Sequence, residues 1–319
     1  MGEDFFGTPR EIERPSTAST DGFPSNLFWN KTGLRAGWRL LIYLALFLVF
    51  TTLSNHFLRL LVHLTLGLTS PEFQLLGELA AFLAAFLAAC AMSRLEHRSV
   101  GAYGLPARGA FGRRFWLGCA FGFCEVFALM GIIAAFRGYS FGSLAEHGGA
   151  IAKWALFWGM FFVVVALFEE FFFRGYSLHT LAEGIGFWPA AVLLAVSFGL
   201  VHKTNPGENW IGVAGVVLVG LFWSFTFKRT GSLWFALGMH ASFDFGETFL
   251  FSVPDSGMIF PGHLSNATLH GPNWLTGGAP GPEASVIDFL ILAVFFLVFD
   301  RLYPVRPEQR YVPPENQDF

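Results

Sequence analysis

Apolar runs long enough to cross a bilayer recur along this chain, and nothing else in it restricts the fold as strongly. A hydropathy pass gives about eight candidate spans, at roughly 37–66, 73–93, 115–136, 150–183, 187–203, 208–228, 231–252 and 286–303. With 54% hydrophobic and only 13% charged residues over 319 positions, the chain reads as an integral, multi-pass membrane protein. The expected fold class is all-α, a polytopic transmembrane helical bundle over 37–303, with a polar disordered tail at 1–36 and a short tail at 304–319. No sequence repeat and no soluble second domain is evident. "GCAFG" at 118–122 is a GxxxG, and "AAFLAAFLAACA" at 80–91 repeats small residues at helical spacing, so both predict helix-packing faces.

The opening "MGEDFFGTPREIERPSTASTDGFPSN" lacks the basic and apolar regions of a cleavable signal peptide. A net charge of −3 argues against a nucleic-acid partner, since phosphate binding needs a basic surface. Cys90, Cys119 and Cys124 all lie in apolar stretches and read as small core residues. Lys31, Arg35 and Arg39 precede the first span, and Arg94, Arg98, Arg108, Arg113 and Arg114 fill the loop after the second, which predicts that this loop is cytoplasmic. Alternate counting then places Lys228, Arg229, Arg301, Arg306 and Arg310 on the same side and both termini inside, in the plasma membrane if the source is bacterial. The 253–285 loop has no Lys or Arg but holds His263 and His270 among many Gly and Pro. It reads as a connector, with a substrate lid or metal site as the alternative.

Three charges interrupt the fourth span at "LFEEFFFRG", residues 167–175. Each mid-membrane charge costs roughly 2.5 to 3.5 kcal/mol, whereas each large apolar residue returns only about 0.3 to 0.6. The charges therefore need partners. Glu170 and Arg174 stand i, i+4 with the glutamate first, the favourable order for a helical ion pair. Glu169 has no partner in its own helix. The turn "GIG" at 184–186 makes an antiparallel hairpin in which Glu169 and His202 share a depth, roughly 21 to 25 Å along the helices. In the seventh span, "GMHASFDFG" places His240 and Asp244 i, i+4 at a comparable level.

A Glu, His, His and Asp set on three spans suits water activation. Glu169, His202 and His240 could supply three ligands to a zinc ion with an open position for water. A metal-free version uses Glu169 as general base, oriented by His202, with His240 donating to the oxyanion. Covalent catalysis is disfavoured, because no serine or cysteine stands in a nucleophile motif beside these histidines. Taken singly, each of these residues has a structural reading, as a buried ion pair or a packing histidine. His56, His63 and His179 lack partnered spacing and read as interfacial or structural.

"EEFFFR" at 169–174 fits ExxxR preceded by a second Glu, "FGLVH" at 198–202 fits FxxxH, and "HASFD" at 240–244 fits HxxxN/D. Their order and spacing resemble the CAAX-protease and bacteriocin-processing family of intramembrane proteases, over roughly residues 100–250. "YGL" after the basic loop and "TGSLWFALGMH" before the third motif are similar to that family's flanks. The resemblance implies a membrane endopeptidase whose eukaryotic relatives remove the last three residues of prenylated CAAX proteins. Glu169 and His202 would then activate water, Glu170 and Arg174 would support them, and His240 with residue 244 would stabilise the oxyanion or share a metal. The last motif position, often Asn, is Asp244 here. An ionised Asp cannot donate a hydrogen bond, which favours a role in orienting His240 or holding a metal.

The expected substrate is a membrane-associated protein or peptide met at the lipid bilayer, and nothing in the chain demands a prenyl group. Two other classes would use the same charges. A catalytically silent scaffold or immunity factor is disfavoured by the intact motifs. A proton-coupled transporter ranks last, because neither an internal repeat nor paired interrupted helices is present.

Overall fold

The structure, a computed structural model, describes residues 25–30, 33–62 and 70–304. The polar start before residue 25, Lys31, His63, the end of the first expected span and the tail from 305, with Arg306 and Arg310, lie outside the described residues. The long helices are α1 (Ala36–Val62), α2 (Pro71–Leu95), α3 (Arg113–Ala135) and α4 (Gly149–Glu169). A π-helical segment, Glu170–Ser177, carries α4 into α5 (Leu178–Ile185). Then follow α6 (Phe187–His202), α7 (Trp210–Thr230), α8 (Trp234–Phe245) with a second π-helical segment (Gly246–Leu250), and α9 (Val286–Leu302).

The protein is a multi-pass helical membrane bundle, but among the described residues five helices, not eight, are long and apolar enough to cross a bilayer: Ala36–Leu60, Pro71–Leu95, Arg113–Ala135, Gly149–Ile185 and Trp210–Thr230. The other three expected spans form helices of 16, 12 and 17 residues, below the ~20 that a hydrocarbon core demands. Local chemistry sets these ends. Gly186, at φ 84°, separates α5 from α6, and Asn209 starts α7 by accepting the Ile211 and Gly212 N–H groups at 2.8 and 3.2 Å. Gly231, at φ 65°, stops α7 in a left-handed cap. Every residue from Trp234 to Ser242 in α8 is buried, so this short helix is apolar all round because it is enclosed by protein.

Both small-residue patterns form packing faces. Ala84, Ala85, Ala88 and Ala89 of α2 are buried. On α3, a Cβ at Gly118 would lie 2.0 Å from the Phe235 carbonyl oxygen, and one at Gly122 would lie 2.3 Å from that of Met239. The reverse holds on α8, where a Cβ at Gly238 would meet the Phe115 oxygen at 2.0 Å. The backbones of α3 and α8 thus touch, and this contact fixes the helix that carries His240. Gly118→Ala must push them apart. It is expected to cost about 1–3 kcal/mol, the range for overpacking, read as a lower thermal midpoint in detergent.

Ion pairs tie one end of the bundle together. Arg39 reaches Glu183 at 2.5 Å and Glu96 at 3.5 Å, Arg98 also pairs with Glu183, and Arg229 pairs with Asp300. The start of α1, the end of α2 and the end of α5 therefore meet.

Candidate active site

The fourth expected span does not run straight. Gly175 has non-helical angles, φ −77° and ψ −109°, inside the π-helical segment that begins at Glu170. Such segments concentrate at functional sites, because they re-aim side chains without breaking the helix. Here the segment buries both Glu170 and Arg174, at 0% and 1% side-chain exposure, and joins them at 2.9 Å. The guanidinium lies 4.1 Å from the Phe198 ring centroid and 5.3 Å from that of Trp223. Gly220 makes room for it, since a Cβ there would fall 2.5 Å from Nη2.

All six expected site residues come together. Glu169 places one carboxylate oxygen 3.5 Å from His240 Nε2 and the other 4.0 Å from His202 Nε2. His240 Nε2 is also 3.2 Å from Asp244 Oδ2, and its Nδ1 is 3.2 Å from Glu170 Oε1. Trp223 stacks on the His240 ring, with centroids 4.3 Å apart and planes 16° from parallel. The Nδ1 of His202 is 2.9 Å from the Phe198 carbonyl oxygen, which can only accept. That nitrogen therefore carries a proton, and Nε2 faces Glu169.

Exposure separates the two glutamates. Glu169 keeps 19% of its side chain exposed and lines a cavity of about 450 Å³, whereas Glu170 is sealed. The cavity is also lined by His202, His240 and Asp244, with Phe161, Phe162 and Val165 as apolar wall. The 253–285 loop supplies Ser256, Met258 and Phe260 to the same wall. His263 and His270 stay local, bonded to the Phe260 carbonyl and to the Thr268 hydroxyl at 2.8 and 2.9 Å, and neither lines this cavity.

Sequence reading paired Glu170 with Arg174 alone; the structure adds the His240 contact, because the π-helical turn swings one oxygen between Arg174 and the imidazole. It also missed Glu78, Glu125, Glu247, Asp255, Glu283 and Asp288, which line the cavity. A lone carboxylate inside an apolar helix, as at Glu78 and Glu125, is the signal that would have found two of them. For zinc, the Glu and His donors are of the right kind, and the second contacts of both histidines resemble those of metal-bound imidazoles. Among the described residues, however, no group of three or more His, Cys, Asp or Glu side chains is arranged to hold a metal ion.

The Rce1-like family model, described as Type II CAAX prenyl endopeptidase Rce1-like, matches residues 151–246, a stretch that contains all six residues. No curated protein and no solved structure matches the chain. The matched segment holds all three motifs, whose order and spacing are similar to those of the CAAX-protease and bacteriocin-processing family.

Proposed function

We propose that this protein is an intramembrane endopeptidase that hydrolyses a peptide bond of a membrane-associated protein or peptide with water activated by Glu169. The observation that carries the reading is the Glu169 carboxylate, poised between the Nε2 atoms of His202 and His240 at the wall of a cavity. At 4.0 Å from His202, Glu169 makes no direct hydrogen bond there, and its exposed face opens on the cavity from which a water can reach it. Glu169 takes a proton from that water as it attacks the scissile carbonyl carbon, and later delivers the proton to the leaving amine. His202 accepts a hydrogen bond from the water at Nε2 and so orients it. His240 donates from Nε2 to the developing oxyanion, while Glu170 and Arg174 hold its ring through Nδ1. Asp244 lies 3.2 Å from the same Nε2, shares that single N–H in the resting site and so sets the ring's orientation.

The protein works as a multi-pass membrane protein with both termini on the basic, cytoplasmic side. Metal assistance is a separate proposal resting on the donor chemistry of Glu169, His202 and His240. Bound zinc would polarise the carbonyl and acidify the water. Elemental analysis of protein purified without added metal tests it, and activity of metal-free protein in excess chelator would refute it.

His202→Ala in lipid nanodiscs should slow cleavage of a membrane-anchored reporter peptide by about 10²-fold, within the range for losing one acid–base group. Parental cleavage by this variant would sink the reading.

A further inference from the structure

The cavity that holds Glu169 is far more acidic than water activation requires. Besides Glu169 and Asp244 it is lined by Glu78, Glu125, Glu247, Asp255, Glu283 and Asp288, and by no Lys or Arg among the described residues. Glu125, Glu247, Glu283 and Asp288 are all buried, Glu247 completely. Both oxygens of Glu247, Oε2 of Glu283 and Oδ1 of Asp288 lack any hydrogen-bond partner. The remaining contacts are spent on framing the cavity: Glu283 Oε1 accepts the Ser256 N–H at 2.7 Å, and Asp255 accepts from the Thr248 hydroxyl at 3.1 Å.

Unpaired carboxylates away from water are costly, and those inside membrane proteins mark sites whose partner arrives from outside. Burial first, and the Asp255 carboxylate second, push Glu283 well above the ordinary carboxylate range, so an incoming cation would relieve it. A bare metal ion is the weaker candidate, because no three of these side chains are arranged to hold one. An ammonium or guanidinium on a long stem suits the cavity better. It carries three or five donors, and its methylenes can lie along apolar wall such as Phe161 and Phe162. The cavity wall reaches the surface at Gln74, Val201 and Thr204, which are exposed, so a substrate side chain has a way in.

We infer that the Glu247, Glu283 and Asp288 end of this cavity is a specificity pocket for a Lys or Arg side chain, directing cleavage to membrane-associated peptides beside a basic residue. The inference rests on the peptidase reading, and its test separates the two. In nanodiscs, binding of lipid-anchored peptides carrying one Lys at successive positions is measured against norleucine counterparts, using the Glu169→Gln variant so that nothing is cleaved. Cleavage of the same peptides is measured with the parent protein. At one position Lys should bind at least 10-fold more tightly than norleucine. Glu247→Gln, or Asp288→Asn if the former does not fold, should narrow that ratio at least 3-fold. Equal binding or equal cleavage of the two series overturns the pocket while leaving the peptidase standing. Lys-selective binding without any cleavage by the parent keeps the pocket and overturns the peptidase.

Discussion

Glu169→Gln is expected to lower peptide-bond cleavage by roughly 10²- to 10⁴-fold, the contribution of a positioned general base. The substitution keeps the length and volume of the side chain and removes only its ability to take a proton. Glu169 lies at the cavity wall with 19% of its side chain exposed, and its two contacts to histidine, at 3.5 and 4.0 Å, are too long to anchor the fold. The variant should therefore unfold at the parental temperature while losing activity. A loss of activity that tracked a loss of folded protein would assign Glu169 a structural role instead.

Arg174→Met should have the opposite signature. Arg174 and Glu170 are sealed from solvent and joined at 2.9 Å, so removing the guanidinium strands a buried carboxylate whose other oxygen has no partner. Breaking a buried pair in this way costs about 3–5 kcal/mol. It should appear as a lower unfolding midpoint in detergent, with cleavage falling as His240 loses its anchored partner. Adding Glu170→Gln should restore part of the stability, because the stranded charge is gone. Arg174→Lys should recover less than the parent, since a compact ammonium cannot both pair with Glu170 and cover the Phe198 ring as the planar guanidinium does at 4.1 Å from its centroid. Parental stability in Arg174→Met would mean that the pair contributes nothing to holding the site.

Much of this site was legible in the sequence because helices convert spacing into geometry. Glu169 and His202 meet because the break at Gly186 folds one apolar run back beside the other, and His240 and Asp244 meet because they are one helical turn apart. The GxxxG at 118–122 announced the close approach that fixes α8. What escaped had no such periodicity. The π-helical turn that gives Glu170 a second partner is a local backbone choice, with no pattern in "EEFFFR" to mark it. The count of spans included α8, which is apolar through burial in protein, because hydropathy cannot tell that from burial in lipid; α6 and α9 are apolar but short. Asp255 and Glu283 reach the cavity from an irregular loop, whose path no repeat in the sequence predicts.

The account stands on one carboxylate activating one water in the membrane. Parent protein and the Glu169→Gln variant, each in nanodiscs with a library of lipid-anchored peptides, can be incubated in ¹⁸O-labelled water and the new C-termini read by mass spectrometry. The parent should yield products carrying one heavy oxygen from their first turnover, and the variant should yield essentially none. Labelled product from Glu169→Gln at the parental rate would contradict the account.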